Sequence, residues 1–191
     1  MWKTIHREDA MLDVKYWDKV AEFHGHKCPG LALGFKVVEG AIAELGLDDA
    51  NLPAIDEEIV CVTENDACCV DAVQVLLGCT YGKSNLIPRI RGKIAFTFFN
   101  RATGKGVRLA FKPGCGEGMG RDEYMNYLVN TPYEEIYDVK EPTFALPEEA
   151  RIFKSHVCAV CGENTAEYAL RVQDDKLVCV DCYDAYDREG F

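Results

Sequence analysis

Cys158, Cys161, Cys179 and Cys182 form a C-x2-C-x17-C-x2-C pattern. Each C-x2-C turn presents two thiolates to one ion, and two turns complete a tetrahedron, so the spacing is that of a zinc ribbon. Between the pairs, YALRV and KLV are strand-like runs on either side of the acidic turn Gln173-Asp174-Asp175. So short a segment cannot bury a core of its own, and the metal is expected to supply its folding free energy. A pair of redox C-x-x-C sites and an iron–sulfur centre are the competing readings. From Cys158 onward the tail carries three basic and eight acidic side chains, net −5. A structural or protein-contacting role follows better from that charge than a grip on DNA. Four protein ligands also leave zinc no open position for catalysis.

A second cluster is His24-Gly25-His26-Lys27-Cys28-Pro29-Gly30. His24, His26 and Cys28 are three ligands within five residues, just before an expected helix. A helix N-terminus favours anions, a thiolate among them. Gly25 lets the two imidazoles turn without a Cβ clash. A capped turn with surface histidines is the plain alternative. Glu64-Asn65-Asp66-Ala67-Cys68-Cys69 with Asp71 is another ligand-rich turn at a helix start, flanked by Cys61 and Cys79. Histidine, thiolate and carboxylate from separate loops suit zinc or another late first-row metal. An incomplete ligand set would make the site catalytic or substrate-binding. One such reading is a hydrolase or lyase with metal-activated water, Lys83 holding an anionic substrate and Asp71 as base. Another is a metal-handling or regulatory module that meets partners through its ribbon.

The elements that position these residues follow from periodicity. Over 11–23, Leu12, Tyr16, Val20 and Phe23 recur at helical spacing and predict an amphipathic helix ending at His24-Gly25. Pro29 suits the first turn of a second helix and Gly46 its stop. Gly30, Gly34 and Gly40 within it imply burial against another closely packed backbone. Residues 51–57 read as a loop, IVCVT (59–63) as a buried strand, and DAVQVLL from Asp71 as a helix stopping at Gly78. A glycine-rich loop covers 78–85, and KIAFTFFN and VRLAFKP are strands joined by RATGKG. GCGEGMG (114–120) must turn tightly or flex, RDEYMNYLV is helical, and Thr131-Pro132-Tyr133-Glu134 matches a capping box. ARIFKS offers one further strand before the tail. The whole reads as α+β, a mixed or antiparallel sheet with helices over 1–150 and a small zinc ribbon over 151–191, without internal repeats or low-complexity stretches.

The 191 residues include 48% apolar and 28% charged side chains, the balance of a globular chain. No uncharged apolar run approaches the roughly 18 residues of a membrane span, and MWKTIHREDAML has no signal-peptide core. With ten cysteines and no export signal, metal ligation in a reducing cytoplasm is expected, with no membrane partner. The net charge of −11 argues against nonspecific nucleic-acid binding. It is unevenly spread: Lys83 to Lys112 holds eight basic residues and no acidic one, leaving −19 on the remainder. That segment is either a set of solvated strand faces or a surface for an anionic substrate or acidic partner.

FHGHKCPGLALGFKV, ENDACCVDAVQVLLGCTYGKSNL and GKIAFTFF together resemble the core of the FmdE family, named for a component of formylmethanofuran dehydrogenase, some members of which carry an appended C-x2-C ribbon. The resemblance implies an α+β core with a metal site, a C-terminal zinc domain and a homodimer. It implies site residues at His24, His26 and Cys28, and at Asp66, Cys68, Asp71 and Gln74, with Cys79, Lys83 and Asn85 following. His26, Cys28 and Cys68 are expected nearest the core metal, Cys28, Asp71 and Lys83 to be catalytic if the protein is an enzyme. Cys61 and Cys69 are expected in the core, with Cys115 more open. The resembled complex reduces CO2 onto the amine of methanofuran with a molybdenum or tungsten pterin, chemistry that belongs to a large catalytic subunit. The resemblance therefore implies an accessory subunit or free-standing relative under an oxidoreductase label, with zinc in the ribbon and a second transition metal, zinc by preference, in the core.

Overall fold

The computed structural model of the chain describes residues 14–48 and 52–188, so Leu12 of the expected first helix lies outside them. The chain divides into two compact units, Met1–Glu149 and Ala150–Phe191.

The first unit opens with helix α1, Val14–His24. It buries Trp17 and Val20, whereas Phe23 stays 60% exposed, so the buried stripe is narrower than the expected one and shifted by one residue. Helix α2 spans Pro29–Leu45. Proline sits in its first turn, and Gly46 closes it in the left-handed conformation at φ 65°. Nearly all of α2 is buried, including the ion pair between Lys36 and Glu39 at 3.0 Å. A helix apolar on almost every side must be packed on every side, and α2 is the centre of this unit.

Strand β1, Ile59–Thr63, is buried throughout. Helix α3, Cys69–Leu77, begins two residues before Asp71 and stops at Gly78. A single 3-10 turn at Tyr81–Lys83 leads into β2, Leu86–Pro88, a strand too short to show periodicity in the sequence. β3, Ala95–Asn100, and β4, Gly106–Phe111, form the expected hairpin. Helix α4, Arg121–Asn130, follows the glycine-rich turns. The capping box does not form. Thr131 donates its hydroxyl back to the Tyr127 carbonyl at 2.7 Å, so it closes α4 instead of opening the next helix. The four-residue α5, Tyr133–Ile136, has no side-chain cap, and β5, Tyr137–Lys140, follows it directly.

The sheet order is β2-β1-β3-β4-β5, with β2 parallel to β1 and every other pair antiparallel. Register places Cys61 beside Phe98 and Thr63 beside Phe96. Ile59, Cys61, Phe96, Phe98, Val107 and Leu109 join the helices in one core. The opposite face carries Val60, Val62, Thr97, Phe99 and Arg108, by strand alternation. Chain after β5 runs along that face: Phe144 meets Phe99 at 5.9 Å, and Arg101 donates to the Pro147 and Glu148 carbonyls.

The second unit holds two hairpins, β6 (Ser155–Val157) with β7 (Asn164–Ala166), and β8 (Leu170–Gln173) with β9 (Lys176–Cys179). Of ARIFKS only Ser155 is in a strand, and Tyr168 and Ala169 form a 3-10 turn before β8. The apolar content of those stretches suggested strands, but so small a unit offers them no sheet to join. Asp174 and Asp175 both take positive φ, 48° and 57°, the conformation a two-residue hairpin turn needs.

Candidate metal centres

The core centre starts at the end of α1. His24 is its last residue, and Gly25 then takes φ 89°, reversing the chain so that the His26 ring returns to 4.5 Å from that of His24. The chain is extended at Cys28, which caps α2: its Sγ accepts the Leu31 N–H at 3.3 Å. One ligand atom each from His24, His26 and Cys28 lies within 4.8 Å of the other two. The His24 Nε2 is 3.8 Å from the Cys28 Sγ.

What orients His24 comes from α3. Its Nδ1 donates to Asp71 Oδ2 at 2.7 Å, which leaves Nε2 facing Cys28 as the nitrogen able to ligate. Gln74 donates to the other Asp71 oxygen at 3.1 Å. A carboxylate on the far nitrogen of a histidine is the usual support of a metal ligand, because it sets the tautomer and raises basicity. Asp71 therefore does not stand as a free general base; both its oxygens are engaged.

The approach of α3 to α2 is direct backbone contact. A Cβ on Gly34 would lie 2.3 Å from the Cys69 carbonyl oxygen. One turn earlier, a Cβ on Gly30 would touch Cys68 Cβ at 3.2 Å and stand near the thiols of Cys68 and Cys28. Cys68 does not join the His24–His26–Cys28 group. It stands beside Cys28, and burial, then the negative charge and thiol contact of Cys28, raise it above an ordinary cysteine.

Asn65 was readable only as part of a polar turn, yet it staples this loop. Its Oδ1 accepts from the Ala67 N–H and the Cys69 thiol, and its Nδ2 donates to the Lys93 carbonyl. Nothing in the residue type announces that duty; it needs the strand order to bring residue 93 beside residue 65. Asp66 is exposed and outside the centre. Lys83, expected to hold an anion, donates to the Ala54 carbonyl at 2.6 Å and to Ile55, so its ammonium braces a loop. Asn85 is fully buried, donating to the carbonyls of Asp56, Ile59 and Gly78 and accepting from Thr80. Cys61, Cys69 and Cys79 are core thiols; burial pushes Cys61 well up, and Cys69 and Cys79 up to about 12. Cys115 is half-buried, its thiol 3.9 Å from the Tyr127 hydroxyl.

The second unit gathers Cys158, Cys161, Cys179 and Cys182 within 4.8 Å of one another. Cys161 and Cys179 sulfurs are 3.9 Å apart, close to the roughly 3.8 Å edge of a tetrahedron with Zn–S bonds near 2.3 Å. Backbone N–H groups of Cys179 and Val160 donate to the Cys158 sulfur at 3.3 and 3.5 Å. Those donors, with one from Cys161, draw the Cys158 thiol down to about 6. Cys182 is pushed up to about 12, first by its contact with Cys179, then by burial and by Cys161 and Cys158. Such a crowd of sulfurs resists full ionisation on its own, and a divalent cation relieves it. The donor set fits zinc.

A mixed α+β core with a histidine–cysteine centre, followed by a four-cysteine zinc unit, defines the class of protein. Residues 23–150 match the family described as FmdE, molybdenum formylmethanofuran dehydrogenase operon. The chain belongs to the FmdE family. Residues 151–188 match the prokaryotic dksA/traR C4-type zinc finger. A protein of Archaeoglobus fulgidus described as a probable S-adenosyl-L-methionine-binding protein is 30% identical over 195 residues. That match takes in 88% of this chain and 52% of the relative, so the chain spans about half the length of that protein. A crystal structure from Syntrophus aciditrophicus, described as an FmdE-like protein of tungsten formylmethanofuran dehydrogenase, superposes with a TM-score of 0.63. It is 23% identical, with 88% of this chain and 90% of that one covered, a likeness that speaks for the fold. Among the described residues no helix is long and apolar enough to cross a membrane.

Proposed function

We propose that this FmdE-family protein carries two metal ions, a structural zinc in its second unit and a transition metal with an exchangeable position in its core. His24 Nε2, His26 and Cys28 would hold the core ion. The observation that carries the reading is the 2.7 Å bond from His24 Nδ1 to Asp71, which aims the other nitrogen at Cys28. Three protein ligands with nitrogen and sulfur donors suit zinc or another late first-row metal and leave one position for a small molecule. An ion there supplies Lewis acidity or a binding point for a donor atom. Asp71 orients His24, and Gln74 in turn holds Asp71.

In cellular terms the reading is an accessory subunit or free-standing relative serving a molybdenum or tungsten pterin enzyme of C1 metabolism, working as a homodimer. Family membership and the description of the Syntrophus protein support it. A hydrolase with Asp71 as base and Lys83 on the substrate is the weaker reading, because both side chains are already engaged within the fold. S-adenosylmethionine binding is not carried over from the Archaeoglobus relative, about half of which lies outside the match.

Elemental analysis of the purified full chain and two variants tests the two-ion proposal. Cys28→Ala should lose the core ion and keep the second unit's zinc, and Cys179→Ala should do the reverse. A wild-type chain with a single ion, or both variants losing all metal together, overturns it.

A further inference from the structure

Within the basic run from Lys83 to Lys112, five of the eight cations are tied to the protein's own oxygens. Lys83 donates to Ala54, Lys105 to the Glu44 carbonyl, and Lys112 to Glu134. Arg101 pairs with Glu57 at 3.1 Å and Arg108 with Glu64 at 2.7 Å. The three that remain, Arg89, Arg91 and Lys93, converge on one cavity of about 170 Å3, closed by Glu64, Thr143 and Phe144.

Several features mark this cavity as a built site. The Arg89 guanidinium lies 4.7 Å above the Phe144 ring, which holds it in place by a cation–π contact. Arg91 spends one N–H on the neighbouring Ile90 carbonyl, leaving the rest of its fork of donors. The backbone beneath is pinned: Arg89 N–H donates to Thr63, Arg91 and Lys93 N–H to Glu64, and Asn65 clasps the Lys93 carbonyl. Glu64 is the acidic group in the lining, and Arg108 first, then Lys93 and Arg89, hold its carboxyl below the usual range. Arg108 already pairs with it, so three positive charges face the cavity without an ion-pair partner among the described residues. The cavity also lies where parallel β1 and β2 both end, a favoured position for ligands in sheets of this kind.

We propose that Arg89, Arg91 and Lys93 form a binding site for a phosphate-type dianion, free or as the monoester group of a small molecule. Arginine forks match tetrahedral oxyanions bidentately, and three cations around one small cavity favour a ligand of more than one negative charge. An extended nucleic acid does not fit: the other five cations of the run are tied down, and the chain is strongly acidic. The site does not depend on the core metal centre. It faces the opposite side of the sheet from the helices, on the face that carries Arg108 and Phe99.

Calorimetric titration of the zinc-loaded full chain with inorganic phosphate and, separately, glycerol 3-phosphate tests the site. One equivalent should bind saturably, with a Kd at or below about 1 mM. The double variant Arg91→Ala/Lys93→Ala should weaken binding at least about tenfold, since two charge-assisted contacts are removed. Lys112→Ala, which deletes an equal charge tied elsewhere, should change it less than about twofold. Tighter binding of glycerol 3-phosphate identifies a carried phosphate, and tighter binding of the inorganic ion a free one. Absence of saturation with both probes, or equal losses in Lys112→Ala and the double variant, rejects the proposal. Circular dichroism of each variant should overlay the wild type, because all three side chains project from irregular or edge segments.

Discussion

His24 and Asp71 are separated by 47 residues in the chain and by 2.7 Å in space. The residue types at both positions were legible as chemistry-bearing, but their division of labour was not. In the sequence Asp71 reads equally well as ligand, base or helix-dipole partner. The fold engages one oxygen with His24 and the other with Gln74, which makes Asp71 the residue that sets the histidine's tautomer. Asp71→Ala should therefore lower core metal affinity about 10- to 100-fold, with the second unit's zinc unaffected, as read by competitive chelator titration. An unchanged core affinity would falsify the orienting role. Lys83 teaches the same lesson in reverse: a lysine in a glycine-rich loop suggests an anion site, and tertiary contact hands its ammonium to two backbone carbonyls.

Helices α2 and α3 owe their closeness to Gly34 more than to any apolar side chain. The three glycines of α2 cost helix stability, and their presence in the sequence already implied a neighbouring backbone. What could not be read was which backbone. Gly34 meets the first turn of α3 at Cys69, and that contact sets Cys68 and Asp71 against Cys28 and His24. Gly34→Ala places a methyl at 2.3 Å from a carbonyl oxygen, so α2 and α3 must separate. We expect destabilisation of at least about 1–3 kcal/mol, the usual cost of overpacking a core, with a lower melting midpoint and loss of the core ion alone. Retention of both stability and core metal would show that the crossing is adaptable. Short elements were the ones periodicity missed. β2 has three residues and β5 four, and both are strands because a neighbour supplies hydrogen bonds.

The two units of the molecule draw their stability from different sources. The first has a continuous core from Trp17 to Tyr137. The second buries Cys158, Leu170, Val178 and Cys179, so half of its small cluster consists of metal ligands. Chelation should therefore unfold the second unit and leave the first one's sheet intact. Hydrogen exchange followed after addition of a strong chelator should show amides of β8 and β9 exchanging freely while those of β1, β3 and β4 stay protected. Simultaneous loss of protection in both units would mean that one ion holds the whole chain together.

From the sequence alone came whatever depends on neighbours along the chain: the C-x2-C knuckles, the proline and glycine that bound α2, the alternating strands β3 and β4, and the clustering of His24, His26 and Cys28. These are local because turn geometry, capping and side-chain period act over a few residues. Tertiary structure alone decided which oxygen each charged group meets. It gave Asp71 to His24, Lys83 to a loop, and five of eight clustered cations to the protein itself, leaving three to face one cavity. The reason is physical: a salt bridge or hydrogen bond needs its partner within a few ångströms, and only strand order and helix crossing bring residues so distant along the chain that close.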